Sequence, residues 1–233
     1  RAVPVRIDDD GQLLLQELEQ SDINRALMLW VNYPSNPTGA VGDLESIANW
    51  GRSHSIPVFS DECYAEFVWG QTPQTILSKD LSGVVAVHSL SKRSNLAGVR
   101  AGFYAGDEDL VFWLKEIRKH SGKMIPGPVQ AAASAAYSDD QHVEEQKQRY
   151  RERLDFLRSC FDSLNIKTEF PQGSFYLWVE SEPDGSWELV DRLASEIGVI
   201  VAPGTFFGSP NHIRVAAVQT LETLELISDR LPG

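Results

Sequence analysis

The chain has 233 residues, of which 33 are acidic and 21 are basic, so its formal charge at neutral pH is −12. Hydrophobic residues make up 42 % and charged residues 23 %, a globular composition that argues against disorder, and the length is sufficient to bury a substantial core. The negative charge disfavours nucleic acid and anionic membrane surfaces as partners, because both would repel a polyanion.

The two cysteines and five histidines show no spacing typical of a zinc site, and no metal site is predicted. Cys63 and Cys160 lie far apart, which fits reduced thiols better than a disulfide-stabilised secreted protein. No apolar run approaches the roughly 18 residues that span a bilayer, and the start of the chain lacks the apolar stretch of a signal peptide. We therefore predict a cytoplasmic protein without a membrane segment.

The first part of the chain alternates short apolar runs with amphipathic stretches. Asp43 is expected to cap a helix over residues 44–53, whose apolar side chains recur on one face. The predicted strands are residues 26–33, 57–60, 84–88 and 99–105. Short apolar strands separated by helices are typical of an α/β fold, a mostly parallel sheet with helices on both faces.

The second part of the chain begins with a long helical stretch, after which short strands and helices alternate. The predicted helices are residues 108–120, 128–137, 141–164, 187–196 and 221–231, and the predicted strands are 168–179, 199–202 and 212–217. The later alternation is typical of a small α+β module. We therefore predict two domains, residues 1–145 and residues 146–233, divided within the long helix.

Polar segments follow the first three predicted strands, where an open parallel sheet binds its ligands. They are the turn 36–39 (Asn-Pro-Thr-Gly), the segment 61–64 (Asp-Glu-Cys-Tyr) and the segment 89–92 (Ser-Leu-Ser-Lys). Each is weak alone, because Asn-Pro and Thr-Gly are turn dipeptides and an aspartate at a strand end is usually a helix cap.

Together these segments resemble the class I/II, or fold type I, aminotransferases, which depend on pyridoxal 5′-phosphate (PLP). Residues 89–102 match the lysine signature of that family at every specified position, and the two earlier segments precede it in the family's order. Residues 173–176, 203–204 and 213–215 follow as in the family's smaller domain. The resemblance covers essentially the whole chain. It implies a PLP-binding large domain and a small C-terminal domain.

The resemblance also implies roles for the catalytic residues. A lysine amine can bond covalently to the aldehyde of PLP and, once released, move a proton as a general base, and Lys92 is that lysine. Asp61 would keep the pyridine nitrogen of PLP protonated. Tyr64 and Asn36 would bind the phenolic oxygen of the ring. Core packing is the alternative for Tyr64.

The remaining implied roles are anion-binding ones. Ser89, Ser91 and Arg100 would hold the phosphate of PLP, since hydroxyls and a guanidinium suit a dianion. Arg214, with Asn36, would bind the α-carboxylate of an amino-acid or 2-oxo-acid substrate. Arg100 could instead form a structural ion pair, and Arg214 could be a surface residue.

A narrower resemblance is carried by residues 88–95, 101–107 and 140–144, which look like the N-succinyldiaminopimelate aminotransferase branch. That branch exchanges an amino group between glutamate and a keto acid in the diaminopimelate route to lysine. Its substrates are polyanions, so additional cations are needed. Arg93, Lys119 and Lys123 are the candidates that the sequence offers.

Members of the family have a long segment ahead of the position of Arg1, so the resemblance implies that the N-terminal part of the family chain is absent. We expect the chain by itself to bind PLP weakly and to be an inactive fragment of an enzyme that works as a homodimer. Two alternatives remain open. One is a C–S β-lyase or decarboxylating synthase on the same fold. The other is the aminotransferase-like sensor domain of a GntR-type transcription regulator, which the acidic charge disfavours.

Overall fold

The computed structural model describes residues 1–181 and 185–231. The chain forms two compact units. The first unit consists of Arg1–Ser35 and Ala40–Val143, and the second of Asn36–Gly39 and Glu144–Gly233. The division along the chain falls inside a long helix, and the turn that follows the first strand belongs with the second unit.

The first unit contains a mixed four-stranded sheet of order β1-β2-β3-β4. Its strands are β1 (Leu29–Asn32), β2 (Val58–Asp61), β3 (Val84–Ser89) and β4 (Gly102–Gly106). The first three are parallel, and β4 is antiparallel to β3. The predicted α/β class is confirmed. β4 runs backwards because the connection from β3 closes on itself, with the Leu90 amide donating to the Ala101 carbonyl at 3.1 Å.

In the described part of the chain, the first unit contains five helices, which are α1 (Gln20–Ile23), α2 (Leu44–Ser53), α3 (Leu90–Arg93), α4 (Glu108–His120) and α5 (Gly127–Tyr137). Among them, α2, α3 and α4 start from side-chain caps. The predicted bounds of α2 and α4 are confirmed, because Asp43 accepts from the Ser46 amide and Asp107 from the Leu110 amide, both at 3.0 Å.

The core of the first unit lies between α2 and the sheet. Its buried side chains include Leu44, Ile47, Ala48, Val58, Val84 and Ala86. Gly51 allows this close packing, since a Cβ atom there would lie 2.4 Å from a methyl carbon of Val58.

The second unit contains a three-stranded antiparallel sheet of order β5-β7-β6 and the remaining helices. Its elements are α6 (Gln141–Ser163), which begins in the first unit, β5 (Tyr176–Glu180), α7 (Ser186–Ile197), β6 (Ala202–Pro203), β7 (His212–Ala216) and α8 (Leu221–Glu225). The core includes Leu154, Leu157, Leu177, Leu189, Leu193 and Ile213.

Three predicted elements of the second unit are shorter in the structure. The strand predicted over residues 199–202 is limited to Ala202–Pro203. The strand predicted from residue 168 begins only at Tyr176, because the Gly173 amide donates to the Gly39 carbonyl at 2.7 Å instead of pairing in a sheet. The closing helix ends at Glu225 and is followed by a 3₁₀ turn at Ser228–Arg230. In the described parts of the chain, no helix combines the length and the apolar character needed to cross a membrane.

Candidate active site

Asp61 and Ser89 are the last residues of the neighbouring parallel strands β2 and β3, so they lie at the same edge of the sheet. The side-chain amide of Asn32, at the end of β1, donates to the Asp61 carbonyl at 3.0 Å. The Tyr33 amide donates to the same carbonyl at 3.3 Å. Two donors from the β1 segment therefore hold the backbone of Asp61.

The Cys63 thiol is influenced by the charges of both Asp61 and Lys92. The Cys63 amide donates to the Asp61 carboxylate at 3.2 Å, and the thiol also bonds to that carboxylate. Burial and the negative charge of Asp61 raise the pKa of the Cys63 thiol, whereas the charge of Lys92 acts in the opposite direction. The carboxylate and the amine therefore both act on one side chain.

The amine of Lys92 stands at the end of the short helix α3 and is half-buried. No residue in ranges 1–181 and 185–231 forms a hydrogen bond or an ion pair with it. A half-buried amine without a partner is available to react, unlike an amine held in a salt bridge. Tyr64, in contrast, is only 4 % exposed, so packing accounts for its position and its role toward a cofactor stays a prediction.

The predicted phosphate ligands line one cavity of about 650 Å³ in the first unit. Ser89 caps α3, and its hydroxyl oxygen accepts from the Ser91 amide at 3.1 Å. Arg100 adopts a left-handed backbone conformation with φ of 57° and donates to the Ala97 carbonyl at 3.0 Å. The described lining of the cavity also includes three further cations, Lys115, Arg118 and Lys123, and contains no carboxylate.

Arg214 lies on β7 in the second unit, between two aromatic rings. Its guanidinium carbon is 4.4 Å from the centre of the Tyr176 ring and 4.6 Å from that of Phe207. Its Nη1 atom donates to the Asn36 side-chain oxygen at 2.7 Å, and its buried Nε has no hydrogen-bond partner among the described residues. A stacked guanidinium with an unused donor is suited to a carboxylate ligand.

Comparison with known proteins identifies the family of the chain. Residues 1–231 match the family "Aminotransferase class I and II". The chain belongs to this family. Class I and II aminotransferases depend on PLP and have fold type I.

Three aminotransferases illustrate the likeness. The 4-dedimethylamino-4-oxo-anhydrotetracycline transaminase OxyQ of Streptomyces rimosus is 40 % identical, over 88 % of this chain and 59 % of that protein. The probable aminotransferase Rv1178 of Mycobacterium tuberculosis is 40 % identical, over 98 % of this chain and 57 % of that protein. The solved structure of a probable N-succinyldiaminopimelate aminotransferase from Thermus thermophilus matches with a TM-score of 0.85 and 28 % identity, over 99 % of this chain and 65 % of that one. The chain thus spans about three fifths of the curated relatives' length.

The donor set of this aminotransferase chain fits PLP. The aldehyde of PLP needs an unpaired amine, a role that Lys92 would fill, and its protonated pyridine nitrogen needs a carboxylate, a role that Asp61 would fill. The phosphate of PLP needs hydroxyls and a cation near one another, and Ser89, Ser91 and Arg100, which line one cavity, would meet that need. No group of three or more metal-ligating side chains is found within the described residues.

Two of the three cations expected near the substrate do not line the cavity. Arg93 is only 6 % exposed and its donors are occupied by Glu66 and by backbone carbonyls. Lys119 is exposed and pairs with Glu116 at 3.4 Å. Lys123 does line the cavity.

Sequence reasoning missed several side chains that shape the site. Lys115 and Arg118 line the cavity from α4, and their spacing of three positions could have placed them on one helix face. Asn32 and Cys63 were also missed. Asn32 carried no local signal, since it lies 29 positions before Asp61, whereas Cys63 lies two positions after Asp61, the spacing of an Asx turn.

Proposed function

We propose that this chain belongs to a PLP-dependent aminotransferase that moves an amino group between glutamate or 2-oxoglutarate and another amino or keto acid. The single observation that carries the proposal is the half-buried amine of Lys92, which forms no hydrogen bond or ion pair with the described residues. Family membership supports it. PLP, when bound, supplies an aldehyde and an electron-withdrawing ring.

Lys92 is the proposed proton carrier of the reaction. The freed amine of Lys92 would take the proton from the substrate Cα atom and deliver it to the carbon that the aldehyde of PLP supplies, on the other side of the amino nitrogen. Asp61 is proposed to hold a proton on the pyridine nitrogen, because a nearby negative charge favours the cationic form. Asn32 would support this role, since its amide bonds to the Asp61 carbonyl and keeps the end of β2 in place.

Ser89, Ser91 and Arg100 are proposed to bind the phosphate of PLP, and Tyr64 and Asn36 its phenolic oxygen. Ser89, Ser91 and Arg100 line the same cavity. The absence of carboxylates from the described lining favours an anion there despite the chain's overall negative charge. Arg214 is proposed to bind the substrate α-carboxylate, with Asn36 holding one side of the guanidinium.

N-succinyl-LL-diaminopimelate is the proposed amino donor or product, which would place the enzyme in diaminopimelate and lysine biosynthesis. This compound is a polyanion, and the cavity offers Lys115, Arg118 and Lys123 in addition to the phosphate ligands. The likeness to the Thermus thermophilus protein, whose name gives that substrate, supports the choice. We further propose a cytoplasmic homodimer for the natural-length protein, to be tested by light scattering after size-exclusion chromatography.

The first experiment is a borohydride trap at millimolar PLP, followed by peptide mapping. We expect a reduced PLP adduct on the peptide that contains Lys92, and an adduct on any other lysine would overturn the assignment. The second experiment offers the natural-length protein a panel of keto acids with glutamate as donor. The substrate proposal predicts the highest kcat/KM for N-succinyl-2-amino-6-oxopimelate. Release of pyruvate and ammonia without a keto-acid acceptor would instead indicate a β-lyase.

A further inference from the structure

Arg93, the residue after Lys92, connects α3 to three other segments of the first unit. Its Nε donates to the Glu66 carboxylate at 3.0 Å, and its Nη1 donates to the Ala136 carbonyl at 2.7 Å and to the Asp139 carbonyl at 3.5 Å. Its Nη2 bonds to the carboxylate of Asp140. One side chain therefore joins α3 to the loop after β2, to the last turn of α5 and to the segment between α5 and α6.

The burial of Arg93 indicates that these contacts are needed. The residue is 6 % exposed, and a buried guanidinium is costly unless its donors are satisfied. Asp140 is almost fully exposed, so solvent screens its charge and its contribution is small. The carbonyl at Ala136 and the carboxylate of Glu66 therefore carry most of the contact. The guanidinium also lies 5.3 Å from the centre of the Tyr137 ring.

The helix that carries Lys92 is too short to hold its own geometry. α3 has four residues, and an isolated helix of that length does not form in water, because nucleation costs more than so few hydrogen bonds return. Ser89 caps its start, and Arg93 is its last residue. The orientation of Lys92 thus depends on what holds the end of α3.

We propose that Arg93 is a positioning residue for Lys92: by tying the end of α3 to Glu66 and Ala136, it holds the Lys92 amine in its half-buried position. The use of that amine rests on the proposed function, whereas its placement does not. We call the contacts of Arg93 with Glu66 and Ala136 the Arg93 clamp. When this clamp is loosened, Lys92 turns toward solvent, so it captures PLP more slowly and reacts faster with a general amine reagent.

The test compares Arg93→Lys with the wild type in two assays. Lysine keeps the charge but loses the planar fork that reaches two partners at once. We expect borohydride-trapped PLP at Lys92 to form about tenfold more slowly, since misplacement of a reacting group by about 1 Å costs rate on that order or more. Acetylation of Lys92 by a small reagent, without PLP and read by peptide mass, is expected to become faster.

Arg52→Lys is the matched control. Arg52 also donates to two backbone carbonyls, those of Asp80 and Ser82, but from α2. This variant should leave both Lys92 rates at the wild-type value. If Arg93→Lys fails to fold by circular dichroism, Glu66→Gln weakens the same clamp and should move both rates in the same directions by less.

The proposal would be overturned if Lys92 reacts at the wild-type rate in both assays in the Arg93→Lys variant, or in a folded Glu66→Gln variant. Equal changes in Arg52→Lys would show a general loss of stability and would overturn it as well. Failure of the wild type to capture PLP at Lys92 would count against the proposed function alone, because the acetylation assay needs no cofactor and still tests Arg93.

Discussion

The Nη1 atom of Arg214 donates a 2.7 Å hydrogen bond to the side-chain oxygen of Asn36, which lies 178 positions earlier in the chain. The turn that carries Asn36 is fixed at its other end, where the Gly39 carbonyl accepts from the Gly173 amide at 2.7 Å. Gly39 has a φ of +74°, and a Cβ atom there would lie 2.7 Å from the Gly173 carbonyl oxygen, so this turn requires glycine. The guanidinium is thus held in place without a ligand.

Replacing Arg214 by lysine should raise the KM for every amino-acid donor. Lysine keeps the charge but loses the fork and the stacking on Tyr176 and Phe207. The loss of a charged hydrogen bond costs about 1.5–3 kcal/mol, equivalent to roughly a ten- to hundredfold fall in kcat/KM. Steady-state kinetics of the natural-length protein with several donors measures it. Arg149→Lys on the exposed face of α6 is the control, and an unchanged KM in Arg214→Lys would refute the assigned role.

Replacing Lys92 by alanine should abolish the borohydride-stable PLP adduct and leave the fold intact. No hydrogen bond or ion pair within the described residues is lost with the amine, so the melting temperature should change little. Absorbance of bound PLP before and after reduction is the measurement. Lys79→Ala, which removes an exposed amine paired with Glu45, should keep the adduct. An adduct that survives in Lys92→Ala would show that another lysine reacts.

The Cys63 thiol should resist iodoacetamide at pH 8, because burial and the Asp61 carboxylate raise its pKa and the thiolate is the reactive form. Asp61→Asn should speed alkylation, since the negative charge is removed. Lys92→Ala should slow it, since the amine favours the thiolate. Peptide mass spectrometry follows the rate, with guanidinium-unfolded protein as the reference. Equal rates in the two variants would show that Cys63 does not lie between these charges.

Asp107→Ala should destabilise the protein by about 1 kcal/mol at neutral pH, because the carboxylate caps α4 and accepts from the Gly83 amide at 2.8 Å. These hydrogen bonds hold the pKa of Asp107 below its ordinary value of 3.8. The folded state therefore favours the ionised form, so the stabilisation is complete above about pH 4 and is lost as the pH falls through the lowered pKa. Urea unfolding at several pH values measures it.

In the urea experiment, the free energies of unfolding of the wild type and of Asp107→Ala should become more similar as the pH falls below about 4. Asp162→Ala, which removes an exposed carboxylate within α6, should change stability little at any pH. If the free energy of unfolding of Asp107→Ala stays below that of the wild type by the same amount from pH 7 to pH 3, the assigned contacts of the carboxylate are contradicted.

Elements with local signals could be predicted from the sequence, and elements with non-local causes could not. Asp43 and Asp107 cap their helices through amides three residues ahead, so both helix starts were visible in the sequence. The direction of β4 depends on how the chain returns after β3. The late start of β5 depends on Gly173, whose amide bonds to Gly39. Neither the direction of β4 nor the start of β5 produces a periodic pattern of apolar residues in the sequence.

The same division applies to the site. Lys92 and Asp61 could be identified from sequence segments that follow one another in the order seen in the family, and their roles stay predictions. Arg93 was named as a candidate substrate cation because only its charge was visible. Its partners at Ala136 and Asp140 lie 43 and 47 positions away, so the sequence could not show that its donors are occupied.

The bond from Arg93 to residue 136 ends on a main-chain oxygen, which every amino acid possesses. The Arg93 clamp therefore restricts the amino acid at position 93 much more than the amino acid at position 136. A library randomised at both positions should recover many amino acids at 136, limited by helix propensity, and arginine almost alone at 93.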